Sequence, residues 1–123
     1  MNLETFYEYC LSKKGTTEHF PFDNDTLVFK VGEKIFALSS LLQWENGAPK
    51  VNLKCNPDYA QELRAQYDEV QPAFHMNKMH WNTVAINSEL PDKFVKELID
   101  DSYDLVFKSL TKKIQSEILK LEN

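Results

Sequence analysis

Apolar side chains at helical spacing mark the helical segments of the chain. In residues 2–14 they occupy positions i, i+3, i+4, i+7 and i+8 counted from Leu3, which is the pattern of an amphipathic helix. A second helix is predicted to begin at Asn56-Pro57-Asp58, because Asn caps, Pro suits the first helical position and Asp favours the positive helix end. Pro91-Asp92 predicts the start of a long third helix, and Thr111 predicts the N-cap of a last one.

Shorter runs between these helices have the composition of β-strands. Gly32-Glu33 lies between two of them and predicts a hairpin with a tight turn, while Asn46-Gly47 predicts a second turn. The predicted strands are Thr26–Val31, Lys34–Leu38, Lys50–Lys54, Val70–His75 and Met79–Asn87. The resulting order, α-β-β-β-α-β-β-α with a C-terminal helical extension, predicts an α+β fold with an antiparallel sheet packed against helices.

The composition narrows the class of protein. The chain has 123 residues, so we expect a single domain over residues 1–123, of which 111–123 form the helical extension. With 14 basic and 19 acidic residues the net charge is −5, which argues against broad nucleic-acid binding but allows a local basic face. No apolar run approaches the roughly 20 residues of a membrane span, and the N-terminus has no secretory pattern. We therefore expect a cytoplasmic protein without membrane association.

The cysteines and histidines give no pattern of a catalytic or metal centre. Cys10 and Cys55 form no CxxC motif and are expected to be buried free thiols. The histidines, His19, His75 and His80, lack the ordered spacing of a zinc site. No Gly-rich phosphate loop occurs in a chain with three glycines. We predict a non-enzymatic protein with no catalytic residues, no metal and no cofactor.

Several short motifs resemble those of a known family. They are Lys34-Ile35-Phe36-Ala37, Leu53-Lys54-Cys55-Asn56-Pro57, His75-Met76-Asn77-Lys78-Met79-His80-Trp81 and Ser102-Tyr103-Asp104-Leu105-Val106. Together they span the chain from about the first helix to the long third helix. On these motifs the chain resembles the MmcQ/YjbR family of small bacterial proteins. The segment ending in Asn77-Lys78-x-His80-Trp81 is the most specific part of the resemblance.

The resemblance implies both a fold and a candidate function. The fold is an α-β3-α-β2-α sandwich, related in shape to secretion chaperones and more loosely to frataxin-like (CyaY-like) domains. The family is of uncharacterised function and is often labelled DNA-binding, through two hairpins that act as a double wing. It brings no established catalytic residues. The helix after Leu110 is longer than the resemblance requires.

The candidate nucleic-acid contacts lie in the two predicted hairpins. Lysines would contact phosphates, Asn77 and the histidines would form hydrogen bonds, and Trp81 would offer a stacking surface. In the alternative interpretation Trp81 belongs to the core, Asn77-Lys78 forms a turn, and the hairpin lysines keep the sheet face polar. The full set of candidate residues is Lys30, Lys34, Lys54, His75, Asn77, Lys78, His80 and Trp81.

Two binding functions follow from these observations. The leading hypothesis is a small DNA-binding domain that uses the hairpin lysines and the Lys78–Trp81 segment. The alternative is a protein-interaction or chaperone-like module without nucleic-acid binding. For that module the last helix offers an amphipathic stripe of Ile114, Ile118 and Leu121, which suits a protein partner or packing on its own sheet.

Overall fold

Six strands and five helices occupy the residues that the computed structural model describes, 1–73 and 75–122. The strands are β1 (Thr16–His19), β2 (Thr26–Val31), β3 (Lys34–Ser40), β4 (Lys50–Lys54), β5 (Val70–Pro72) and β6 (Trp81–Ala85). The helices are α1 (Leu3–Ser12), α2 (Leu41–Glu45), α3 (Pro57–Gln66), α4 (Asp92–Ser109) and α5 (Lys112–Leu119). All strand pairs are antiparallel, in the order β1-β2-β3-β4-β6-β5. The predicted α+β class, with an antiparallel sheet against helices, is confirmed.

Several element boundaries predicted from local sequence signals are confirmed by the structure. The Asn56 side chain accepts hydrogen bonds from the backbone N–H groups of Asp58 and Tyr59 at the start of α3. The Thr111 hydroxyl accepts one from the N–H of Ile114 at the start of α5. Gly32 and Glu33 have φ values of 54° and 67°, as a type I′ hairpin turn between β2 and β3 requires.

The structure corrects the predicted element list in three places. Strand β1 and the short helix α2 were not predicted, whereas the predicted turn at Asn46-Gly47 is present and follows directly on α2. The second strand pair is shorter than predicted, because β5 ends at Pro72 and β6 covers only Trp81–Ala85. Residue 74, within the predicted strand 70–75, and residue 123, within the predicted extension, lie outside the described residues.

The helices cover one face of the sheet and leave the other open. Side chains alternate between faces along a strand, so Phe29, opposite Ala37, points into the core, whereas Lys30, opposite Ile35, points to the open face. On the core side the ring of Phe6 from α1 meets that of Phe29, with centroids 5.7 Å apart. The core is completed by residues of α4, including Val95, Leu98, Ile99 and Val106. Among the described residues, no helix combines the length and apolar character needed to cross a membrane.

A bulge in β3 alters the sheet next to the β2–β3 turn. Phe29 pairs with Ala37 and Lys30 with Ile35, so Phe36 is the extra residue. The hydroxyl of Ser102, a fully buried residue of α4, donates to the Phe36 carbonyl and accepts from the Lys54 N–H. Ser102 therefore satisfies a backbone group of β3 and one of β4 and ties α4 to this end of the sheet.

Candidate functional site

Both hairpin connections lie at the same end of the sheet. The β2–β3 turn is at the start of β3, and strand register places Lys54, at the end of β4, opposite Trp81, at the start of β6. Because these neighbouring strands are antiparallel, the β2–β3 turn and the β5–β6 loop project from one end. We call this the wing end, and it comprises Lys30–Lys34, Lys54 and the loop segment His75–Trp81.

The lysines of the sheet divide between its two sides. Lys30 and Lys54 are half-buried and point to the open face at the wing end. Lys50 lies on the same face at the opposite end of β4. Lys34 instead lies opposite the core residue Val31, and its ammonium is 3.5 Å from the hydroxyl of Ser109 in α4. Of these four lysines, Lys30, Lys50 and Lys54 therefore lie on the open face. Lys34 faces the helices.

Hydrogen bonds within the β5–β6 loop stabilise its conformation. The Asn77 side chain accepts a hydrogen bond from the Met79 N–H at 2.9 Å. The backbone carbonyl of Asn77 accepts one from the Trp81 N–H. The Lys78 ammonium donates to the Ala73 carbonyl at 2.8 Å, which leaves two of its three N–H donors for a ligand. His80 is half-buried, and its carbonyl accepts from Cys55. Turn chemistry therefore accounts for Asn77 and for part of Lys78, while His75 is exposed.

Arg64 anchors this loop and was missed by the sequence reasoning. Its Nε donates to the Asn82 side chain at 2.7 Å, and Nη2 donates to the Trp81 carbonyl at 3.2 Å and to the Lys78 carbonyl. The planar guanidinium presents several donors in a fixed geometry, as three converging acceptors require. The available signal was that Arg64 is the only arginine in the sequence.

A broad groove occupies the open face behind the wing end. Its volume is about 1050 Å³, with Phe22 and Met76 among its lining residues and Leu38 on its sheet side. Met76 folds back over the sheet, with its sulfur 3.5 Å from the amide nitrogen of Asn52. The charged residues that line the groove are Lys50, Asp68 and Glu69, and His75 is an additional titratable group there. The groove is therefore apolar in the middle and carries both signs of charge at its rim.

The two thiols are poor nucleophiles. Cys10 and Cys55 are buried and unpaired, as predicted. Burial raises the pKa of Cys10, and burial together with the Asp101 carboxylate raises the pKa of Cys55 to about 11. Within residues 1–73 and 75–122, the His, Cys, Asp and Glu side chains form no group of three that could hold a metal ion.

A family model and uncharacterised bacterial proteins match this chain. The YjbR family model matches residues 11–105. The uncharacterised protein YbdF of Escherichia coli O157:H7 is 38% identical over 99 residues, covering 80% of this chain and 79% of that protein. The uncharacterised protein YjbR of Escherichia coli K12 is 36% identical over 103 residues, covering 84% of this chain and 85% of that protein.

Solved structures share the fold. A crystal structure of a Deinococcus radiodurans protein with the domain DUF419 has a TM-score of 0.88 and 33% identity, covering 95% of this chain and 87% of that one. A crystal structure of a Pseudomonas syringae protein has a TM-score of 0.73 and 32% identity, covering 86% of this chain and 99% of that one.

Proposed function

The chain belongs to the YjbR family, and from this premise and its wing end we propose that it is a small binding domain for duplex DNA. The observation that carries the proposal is the placement of Lys30 and Lys54 on the open face at the wing end, with Lys78 in the β5–β6 loop at the same end of the sheet. Lysines grouped in this way bind a phosphate backbone by releasing its counterions. The proposed contacts are non-covalent and do not depend on a catalytic group.

The distribution of charge lets a protein of net charge −5 present this surface. The wing-end segments contain Glu33 as their acidic residue. The groove carboxylates of Asp68 and Glu69 lie near Ala85, at the opposite end of β6 from Trp81. Another acidic group lies on α4, where burial and then repulsion from Asp104 and its neighbours raise the pKa of Asp101. A local basic surface steers DNA even when the whole protein is acidic.

Trp81 adds a contact next to this charge. Strand register places it directly opposite Lys54 on the open face, and its ring is half-buried. Side chains directly opposite in an antiparallel pair have Cβ atoms about 4.5–5.5 Å apart. The pair therefore presents an aromatic edge and an ammonium together, which suits a sugar–phosphate segment. His75, Asn77 and His80 contribute hydrogen-bonding groups around it.

Binding of a short fluorescein-labelled duplex at low salt tests the proposal. The double variant K30Q/K54Q should bind more weakly than the wild type, and K50Q should bind as the wild type does. Lys50 and Lys54 lie on the same face of the same strand at opposite ends, so K50Q controls for loss of charge alone. Absence of wild-type binding, or a loss in K50Q as large as that in K30Q/K54Q, would overturn the proposal.

A second candidate is binding of a polypeptide segment in the groove. The observation that favours it is the apolar lining, which includes Phe22 with 66% of its surface exposed. Exposed apolar surface of this kind often marks a protein-binding site.

A permanently unfolded model polypeptide tests this second candidate. F22S should weaken its binding, whereas F20S should not, because Phe20 is also exposed but does not line the groove. Equal binding by both variants and the wild type would exclude the groove as the site. Loss of binding in K30Q/K54Q with F22S unaffected would favour the wing end instead.

A further inference from the structure

The C-terminal helix α5 lies outside the family match, which ends at residue 105, and it carries two adjacent exposed lysines. We infer that Lys112 and Lys113, together with Lys34, extend the phosphate-contacting surface around the β2–β3 turn to the helix side. This inference rests on the proposed DNA binding and adds to it a second row of contacts. It gives α5 a role that the family resemblance does not supply.

Close packing fixes α5 next to the wing end. A Cβ atom built on Gly32, in the β2–β3 turn, would lie 2.6 Å from a methyl carbon of Leu110. Leu110 is buried at the junction of α4 and α5, and Ser109 beside it lies 3.5 Å from the Lys34 ammonium. The turn and the helix junction therefore form one packed unit.

The apolar side of α5 is used within the chain. Ile118 is 7% exposed, and a Cβ atom on Gly15 would lie 3.0 Å from one of its methyl groups. The Lys14 ammonium also donates to the Leu119 carbonyl at 3.3 Å. The amphipathic stripe, for which a partner contact and packing on its own sheet were both open, thus packs on its own domain at Ile118. The exposed side of the helix is left for an intermolecular contact.

Chain geometry places the three lysines close together. Lys34 is two residues beyond Gly32, and Lys112 is two residues beyond Leu110. Because one residue spans at most about 3.6 Å, the Lys34 backbone lies within about 7 Å of Gly32 and the Lys112 backbone within about 7 Å of Leu110. The Lys30 side chain projects from the same hairpin on the open face of the sheet. A phosphate backbone that crosses the hairpin can therefore meet lysines on both of its sides.

The charges of this surface are not neutralised by ion pairs within the described residues. The ion pairs found there join the N-terminus to Asp92 and Lys13 to Asp100. The first turn of α5 contains Lys112 and Lys113 and no acidic residue, although cations at a helix N-terminus oppose the helix dipole. Glu33 and Glu117 are nearby opposing charges, and Asp104 lies one turn before Lys108 in α4. We assign the contact to Lys112 and Lys113, which stand in the first turn of α5 directly after the Leu110 junction.

The salt dependence of duplex binding tests this inference. K112Q/K113Q should reduce the slope of log affinity against log salt by about 2, since each lost lysine–phosphate contact removes about 1. The control K50Q/K93Q removes the same charge from exposed positions away from the wing end and should leave the slope unchanged. Thermal unfolding should show no destabilisation of K112Q/K113Q, because the substitution removes cations from the positive helix end.

The outcomes separate this inference from the proposed function. Wild-type binding with a reduced slope in K112Q/K113Q alone supports it. Wild-type binding with equal slopes for K112Q/K113Q and the wild type overturns it and leaves the proposed function standing. Absence of wild-type binding overturns the proposed function and, with it, the proposed role of α5.

Discussion

The hydroxyl of Ser102 donates a hydrogen bond to the carbonyl of Phe36 at 2.5 Å, across 66 residues of the chain. The same oxygen accepts from the Lys54 N–H at 2.8 Å. The bulge at Phe36 disturbs the ladder between β3 and its neighbours, and one buried serine restores partners for both backbone groups. The wing end is therefore held by α4 as well as by strand pairing.

Replacement of Ser102 by Ala should destabilise the fold by about 2–4 kcal/mol. The change leaves a buried carbonyl and a buried N–H without their partner, and each unsatisfied group costs about 1–3 kcal/mol. Chemical denaturation measures the loss, and S116A, at an exposed position of α5, is the control. A loss for S102A no larger than that for S116A would contradict the role assigned to this hydroxyl.

Replacement of Arg64 by Ala should loosen the β5–β6 loop. The change removes donors to the Trp81 carbonyl, the Lys78 carbonyl and the side chain of Asn82, which is only 2% exposed. We expect faster amide exchange in residues 75–82 and a loss of about 1–3 kcal/mol in unfolding free energy. Hydrogen exchange of R64A and of Q61A, an exposed position on the same helix, provides the comparison. Unchanged exchange in the loop of R64A would refute the anchoring role.

Gly32 should tolerate Ala much less well than Gly47 does. Both have positive φ values, 54° and 76°, and the left-handed conformation costs an L-residue about 1–2 kcal/mol. Only at Gly32 would the added methyl group also meet Leu110, whereas nothing lies within 4 Å of a Cβ at Gly47. G32A should therefore lose about 1–3 kcal/mol more than G47A, as overpacking does. Equal unfolding free energies for the two variants would argue against tight docking of the helix junction.

The thiols should be unreactive in the native protein near neutral pH. Burial and the Asp101 carboxylate hold the pKa of Cys55 at about 11, and burial raises that of Cys10, so the reactive thiolates are scarce below that range. Reaction with a disulfide reagent at about pH 8, below the ordinary thiol pKa of about 8.5, should be slow in native protein and fast after denaturation. The rate at Cys55 should rise as the pH approaches 11. Fast native labelling at neutral pH would contradict this.

Elements with local signals were predictable from the sequence, and elements made by tertiary pairing were not. The cap at Asn56 and the turn at Gly32-Glu33 depend on neighbouring residues, so the pattern located them. Strand β1 is polar at all four of its positions, Thr16–His19, and exists because its backbone pairs with β2. Helix α2 has only five residues, too few to establish helical periodicity.

Within the candidate site, too, some features were predictable from the sequence and others arise only from tertiary structure. The resemblance drew attention to the Lys78–Trp81 segment, but the pattern did not reveal that Lys34 faces the helices while Lys30 faces the open sheet. That difference comes from the two-residue turn, which pairs Lys34 with the core residue Val31 and Lys30 with Ile35. The anchoring of the loop by Arg64 joins residues 14 to 18 positions apart, and no periodicity within α3 encodes it. The groove likewise arises only when Phe22 and Met76 come to the same face.

The salt dependence of wild-type binding to duplex DNA tests the central claim most directly. Each lysine–phosphate contact contributes about −0.9 to the slope of log affinity against log salt. Contacts from Lys30, Lys54 and Lys78 predict a slope at least as steep as about −2.7 between about 50 and 200 mM salt. Measurable binding with such a slope is the expected result. No binding at the lowest salt, or binding with a slope near zero, would contradict the assignment of the wing end as a DNA-contacting surface.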